Sequence, residues 1–329
     1  MARLASEVRQ ALDDPLVSLD SPPQLLKSLR RAGILVESTS KWALREIEHP
    51  AIMPLLAYKK LSRLMSANGW AWLDTWVRDN SFRPIYMPGA VVTGRWGADG
   101  GGALQIPRQL REALRADPGW VIVDADVAQL EPRVLAAMSR DMRMADAARG
   151  TDLYEGIVAS GAVATRAEAK GALLGAMYGA TTGESGRLVP RLRRAYPQAM
   201  GMVDEAAKTG ENSGTVRTWL GRTSPTVPYE TRRIHQDNPR IARDYGRFTR
   251  NFIVQGTAAE WALAWMADLR LRLARFPASR AAAPASGPAF AHRAHIAFFL
   301  HDELIVHAPA DQAEAAAEAM RETAAAAGR

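Results

Sequence analysis

The sequence predicts an α+β chain, with helices flanking a small β-rich centre built from segments far apart. Three observations carry that expectation. Residues 1–80 place apolar side chains at helical spacing. VIVDADV (121–127) is a short apolar run that ends in carboxylates and follows Pro118-Gly119. FFLHDELIVHAP (298–309) has the β-branching and period of two short strands around a tight turn, with Asp302 and Glu303 adjacent at its tip.

The elements follow in order. LASEVRQALDD is a short amphipathic helix, and QLLKSLRRAGI a second one, with Ser21 as N-cap and Gly33 as C-cap. STSKWALREIEH and PLLAYKKLSRLMSANGWAWLDTWV keep helical spacing, and Trp70, Trp72 and Trp76 are expected to pack. RPIYMPGAVVTGRW predicts strand, turn and strand, and GADGGGA a glycine-rich loop. LEPRVLAAMSRD is helical. Residues 140–245 return to helix, with breaks at GATTGESG and TGENSG and a hairpin at GTVRTWLGRTSP. A long helix is expected over 251–275. RFPASRAAAPASGPAFAHR is a low-complexity surface connection, and an Ala-rich helix closes the chain.

Composition narrows the function classes. The 329 residues allow a sizeable core and suggest two or three subdomains. No apolar run approaches the roughly 18–20 residues of a membrane span, and MARLASEVRQ lacks the apolar core of a signal peptide. Cysteine is absent, which excludes disulfides and thiolate metal sites and makes the cytoplasm the default compartment. The formal net charge is +7, which suits a polyanionic partner. A coding bias towards Ala and Arg accounts for it equally well.

Two clusters point to chemistry. Asp124 and Asp126 alternate along one predicted strand and so share a face. Set beside Asp302 and Glu303, they offer oxygen ligands from two strands, the donor set Mg²⁺ prefers when substrate phosphates complete its shell. Solvated strand-end acids are the competing account at this point. The second cluster is RAEAKGALLGAMYG (166–179). Arg166, Lys170 and Tyr178 lie along one helical face, with small residues between them. Two cations and a phenol in line suit a triphosphate and a planar group. A basic surface stripe is the alternative, and it explains Tyr178 and the glycines poorly.

With these residues in view, the chain resembles the polymerase domain of family A DNA polymerases, the bacterial DNA polymerase I type. VIVDADVAQLEPR resembles the family's motif A, RAEAKGALLGAMYG its motif B and FLHDELIVHAP its motif C. VTGRW (92–96), TWLGRTSP (218–225) and RFTRNFIVQGTAAEWALAWM (247–266) resemble three further segments in the same order. The resemblance implies a right-hand polymerase fold, with a partial thumb at 1–80, a palm with an antiparallel sheet at 81–139 and 246–329, and helical fingers at 140–245. It implies template-directed DNA synthesis, with primer-template DNA and dNTPs as partners, two Mg²⁺ ions, no membrane, a monomer, and a cytoplasmic, nucleoid-associated location.

Residue by residue, Asp126 and Asp302 match the metal-binding aspartates, with Glu303 as a secondary carboxylate. Arg166 and Lys170 match the triphosphate ligands, and Lys170 the general acid to pyrophosphate. Tyr178 matches the residue beside the templating base, Glu131 the one that crowds a ribose 2′-OH, and Gln129 one near the triphosphate. Arg95, Arg247, Asn251, Gln255 and His301 match contacts to primer and template.

There are departures. Leu174 stands where motif B carries an aromatic that stacks on the incoming nucleotide. Tyr154 replaces a phosphate-contacting His, Val127-Ala128 replace Tyr-Ser, Pro132 replaces an aliphatic, and LQIP (104–107) is a shortened segment. They suggest a divergent branch, similar to the bifunctional 3′–5′ exonuclease/DNA polymerases of high-GC bacteria but without the exonuclease domain. The chain is accordingly expected to be a fragment or an unusually short product that lacks an exonuclease region and a last strand. Two alternatives share part of the pattern: a catalytically weak DNA-binding paralogue, and a metal-dependent nuclease.

Overall fold

Apolar spacing in the first eighty residues produces helices, and the chain beyond them produces a sheet backed by helices. The computed structural model describes residues 1–100, 107–180 and 183–329. These divide into two units, Met1–Ile85 with Asp99–Arg111, and Tyr86–Ala98 with Glu112–Arg329.

The first unit holds α1 (Ala2–Ala11), α2 (Pro22–Arg31), α3 (Lys41–Leu44), α4 (Ile52–Asn68) and α5 (Trp70–Trp76). Val8, Leu25, Leu29, Leu44 and Leu55 are fully buried between them, each stabilising by roughly 1.5–3 kcal/mol. Asp20 braces α4 by accepting from Tyr58 Oη and Ser62 Oγ, both at 2.7 Å. Ser21 occupies the N-cap position of α2, yet its hydroxyl makes no capping bond; Pro22 and Pro23 at the helix start supply the fixed φ instead. Gly33 follows the helix at φ +80, which a side chain would strain.

Three expectations need correction here. STSKWALREIEH yields only the four residues of α3. The next pattern is two helices, because the chain turns extended at Gly69. And Trp70 is 72 % exposed rather than packed. Trp72 does pack, donating to Gly100 O at 2.9 Å and lying 4.9 Å from the Phe82 ring. Strands β1 (Val77–Arg78) and β2 (Ser81–Phe82) pair around Asp79-Asn80, both at positive φ, as a primed hairpin turn demands. Strands β3 (Ile85–Met87) and β4 (Gly97–Asp99) form a second ribbon. The return strand expected within VVTGRW therefore sits a few residues later, in what the sequence suggested was glycine-rich loop. Helix α6 (Arg108–Arg111) is one turn. Residues 104–106 of LQIP lie outside the described residues.

In the second unit, β5 (Trp120–Asp126) opens a run of helices: α7 (Leu130–Ser139), α8 (Met142–Ala148), α9 (Leu153–Ala159), α10 (Arg166–Tyr178), α11 (Gly183–Ala195), α12 (Pro197–Glu211), α13 (Tyr229–Asp237) and α14 (Pro239–Leu273). Strands β6 (His295–Leu300) and β7 (Glu303–Pro309) and helix α15 (Ala313–Ala327) complete it. The sheet is antiparallel with β7 central, in the order β5-β7-β6. The expected breaks shrink, because α11 already starts at Gly183 and α12 runs on to Glu211. GTVRTWLGRTSP closes with the single bridge Arg217–Thr223 rather than a strand pair.

Helix α14 has 35 residues, about 52 Å at 1.5 Å per residue, and starts well before the expected 251. Its Phe252, Ile253 and Val254 enter a core with α9, α10 and α12, whereas Ala262, Trp265 and Leu269 enter another beneath the sheet and α15. Trp265 Nε1 donates to Met320 O at 3.0 Å. The low-complexity connection is also packed. Ala283 is fully buried, and Ala281 O accepts from Trp120 Nε1 at 3.2 Å.

Close approach of α12 and α14 depends on Gly210, where an added Cβ would sit 2.1 Å from Thr249 Oγ1. Gly210→Ala is expected to destabilise the chain by about 1–3 kcal/mol through overpacking. Urea unfolding measures it, and Thr249→Ala in the same chain should return much of the loss.

Candidate functional site

The site begins with the register of β5 and β7. Asp126 lies opposite Glu303, and Val127 N donates to Asp302 O at 3.0 Å. Leu300 pairs with Glu303, so His301 and Asp302 alone connect β6 to β7. His301 takes φ +58, as the first residue of a two-residue hairpin connection can require. This turn holds Asp302 beside the end of β5. Burial raises the Asp302 pKa, and the Asp126 charge raises it further. Two neighbouring carboxylates that repel each other form a fitting seat for a divalent cation. Among the described residues no three His, Cys, Asp or Glu side chains gather as a metal cluster. Glu303, which follows Asp302 in the chain, is buried. Asp124 shares the exposed face of β5 with Asp126.

A cleft of about 160 Å³ adjoins this pair. Arg95, Gln129, Glu131, Leu174, His301 and Asp302, all singled out from sequence, line it together with Tyr154. Glu131 is its hub. One carboxylate oxygen pairs with Arg95 and the other accepts from Tyr178 Oη at 2.7 Å. Burial, and then Glu131, push the Tyr178 phenol well above its ordinary value, so it remains a donor. Gln255 Oε1 accepts from Thr93 Oγ1 at 2.9 Å. Burial and the Arg95 charge lower the His301 pKa, which favours the neutral ring.

Helix α10 presents the second cluster. A capping box at Thr165 and Glu168 starts it, and Gly179 at φ +77 ends it. Its buried side carries Ala169, Ala172, Leu173, Ala176 and Met177, leaving Arg166, Lys170 and Tyr178 exposed, with Leu174 half-buried between them. Lys170 makes no hydrogen bond or ion pair among the described residues, whereas Arg166 meets Asp152 at 2.7 Å. On α14, Arg247 pairs with Asp244. Among the described residues, Asn251 Oδ1 and His301 Nδ1 are buried without a hydrogen-bond partner.

Sequence reasoning did not assign roles to Thr93, Arg133 or Asp152. Arg133 is the main stitch beside the cleft. It donates to Ala128 O at 2.8 Å, Gly150 O at 3.0 Å and Ala148 O, and so fastens the loop before α9 to the end of β5. Its place in the E-x-R of motif A was the available signal.

Residues 1–328 match DNA polymerase family A. The chain belongs to that family. Family A relatives include the thermostable DNA polymerase I of Thermus filiformis, 26 % identical over 98 % of this chain and 41 % of the relative. DNA polymerase I of Chloroflexus aurantiacus is 26 % identical over 95 % of this chain and 34 % of its own. The chain spans less than half the length of these curated relatives. A solved structure described as the POL domain of Pol1 from M. smegmatis, in complex with DNA primer-template and dNTP, covers 99 % of this chain and 61 % of that one, with a TM-score of 0.80 and 20 % identity. That likeness establishes the right-hand polymerase fold expected of the sequence. No helix among the described residues is long and apolar enough to cross a membrane.

The Asp302 shift has a consequence for stability. Its folded pKa lies above the unfolded one, so the stability it lends is present at low pH and lost as pH rises through the folded value. In EDTA at pH 7, Asp302→Asn is expected to melt higher than the unaltered chain. The difference should close below an ordinary aspartate pKa of about 3.9. Thermal melts at the two pH values measure it.

Proposed function

We propose that this chain carries out template-directed DNA synthesis, adding dNTPs to a primer 3′-OH as a DNA-directed DNA polymerase in replication or repair. The observation that carries the reading is the Asp126–Asp302 pair beside the exposed cationic face of α10, in a family A chain. Primer-template DNA and dNTPs are its partners, and the chain acts as a monomer in the cytoplasm, at the nucleoid. Residues 1–80 serve as a partial thumb, 81–139 and 246–329 as the palm, and 140–245 as the fingers.

In this reading Asp126 and Asp302 would hold two Mg²⁺ ions, with Glu303 as accessory. Bound there, Mg²⁺ supplies Lewis-acid stabilisation of charge on the phosphoryl oxygens. Arg166 and Lys170 bind the triphosphate, with Gln129 near it. The primer 3′-OH gives its proton to solvent water as its oxygen forms a bond to the α-phosphorus, the bond to the pyrophosphate oxygen breaks, and the Lys170 ammonium gives a proton to that leaving group. Tyr178 stands beside the templating base, and Leu174 offers an aliphatic rather than an aromatic surface to the nucleotide. Glu131, held by Arg95 and Tyr178, crowds a ribose 2′-OH. Arg95, Arg247, Asn251, Gln255 and His301 hold primer and template through contacts that carry little sequence information.

Leu174 supports one other reading, a paralogue that binds primer-template in a salt-sensitive way without incorporation. Primer extension with Mg²⁺ and dNTPs separates the two. The unaltered chain is expected to extend, and Asp302→Ala to lose at least roughly 100-fold in rate. Equal extension by both would reject the assignment.

A further inference from the structure

Arg166 is half-exposed on α10, and a long exposed side chain ordinarily samples many rotamers. Here two groups at the start of α9 restrict it. Arg166 Nε donates to Asp152 Oδ2 at 2.8 Å, and Nη2 lies 2.7 Å from the same oxygen as an ion pair. The other Asp152 oxygen accepts from Tyr154 N at 2.9 Å and Glu155 N at 3.3 Å, so the first turn of α9 fixes the carboxylate. The guanidinium carbon lies 5.4 Å from the centre of the Tyr154 ring. That ring is only 6 % exposed, and it lines the cleft while packing in the core.

The start of α9 is itself tied to the metal-side strand. Gln129 Oε1 accepts from Leu153 N at 3.2 Å, and Arg133 holds the preceding loop. A guanidinium has five N–H groups. With Nε–H committed to Asp152 and Nη2 held against the same oxygen, the guanidinium plane and its remaining N–H groups keep a fixed direction.

We propose that Asp152 and Tyr154 are positioning residues that aim the Arg166 guanidinium at the triphosphate of the incoming nucleotide. The proposal rests on the polymerase reading above. It opposes a second role that the same contact allows, in which Asp152 competes with phosphate for Arg166. The two roles differ in sign. Losing an aiming group weakens nucleotide binding, whereas losing a competitor strengthens it.

The test is single-nucleotide incorporation by the full chain on a primer-template with Mg²⁺, with KM for dNTP and kcat measured separately. Asp152→Asn keeps an oxygen for the α9 cap and removes the charge. Tyr154→Leu removes the ring, and Tyr154→Phe keeps it. Asp152→Asn and Tyr154→Leu are each expected to raise KM roughly three- to tenfold, with kcat within about twofold of wild type. Tyr154→Phe should return KM to the wild-type value. In an Arg166→Ala background neither Asp152→Asn nor Tyr154→Leu should raise KM further, because the group they aim is gone.

A fall in KM for Asp152→Asn would overturn the proposal, as would equal effects with and without Arg166. If the wild type incorporates dNTP and Arg166→Ala leaves KM unchanged, the inference fails and the polymerase reading stands. If the wild type incorporates none, both fail.

Discussion

The site depends on the antiparallel register of β5 against β7. Side chains on a strand alternate between faces, so a one-residue slip would turn Asp126 away from the turn that carries Asp302. The register is held by what flanks it. Ile122 and Asp124 face outward on β5, while Val123 and Ala125 turn towards the interior. On β7, Leu304, Val306 and Ala308 are fully buried. Any slip would expose that apolar set. The two carboxylates thus stay close, despite their repulsion, because apolar packing along the rest of the ladder outweighs it.

A second constraint links the strand to the helices. Helix α14 passes through both cores of its unit, so the helices around α10 and the sheet pack on one continuous rod. Arg133 and Gln129 add a polar link from the end of β5 to the start of α9. Gln129 sits at φ +52 to make it, a conformation that costs on the order of 1 kcal/mol in a non-glycine residue. Through α9 the link reaches Arg166.

Much of this was legible in the sequence, for physical reasons. The three strands of the sheet announce themselves because they are short, apolar and flanked by turn residues. The α10 stripe follows from helical spacing alone. The early start of α14 was missed because RIARDYGR has no apolar stripe, although Asn238-Pro239 is a cap followed by a proline suited to a first turn. Trp70 was misjudged because periodicity tells which side chains share a face, not whether a core lies beneath it. Ala283 is buried inside a segment whose composition resembles a linker, since an alanine needs little apolar context to pack. The Asp152–Arg166 contact joins two helices, and no local pattern encodes it.

The charges of the site share one arrangement. Arg95, Arg166 and Arg247 are each paired with a carboxylate, respectively Glu131, Asp152 and Asp244. Lys170 has no such partner among the described residues. Exposed pairs such as Arg247–Asp244 contribute about 0–1 kcal/mol, so exchanging that carboxylate for a nucleic-acid phosphate costs little. Arg95–Glu131 is different. Both side chains are largely shielded, and Glu131 also holds Tyr178. Removing one partner there would leave a charge poorly solvated beside the cleft. The exposed Arg247 can therefore change partners, while Glu131 keeps its place and its shape.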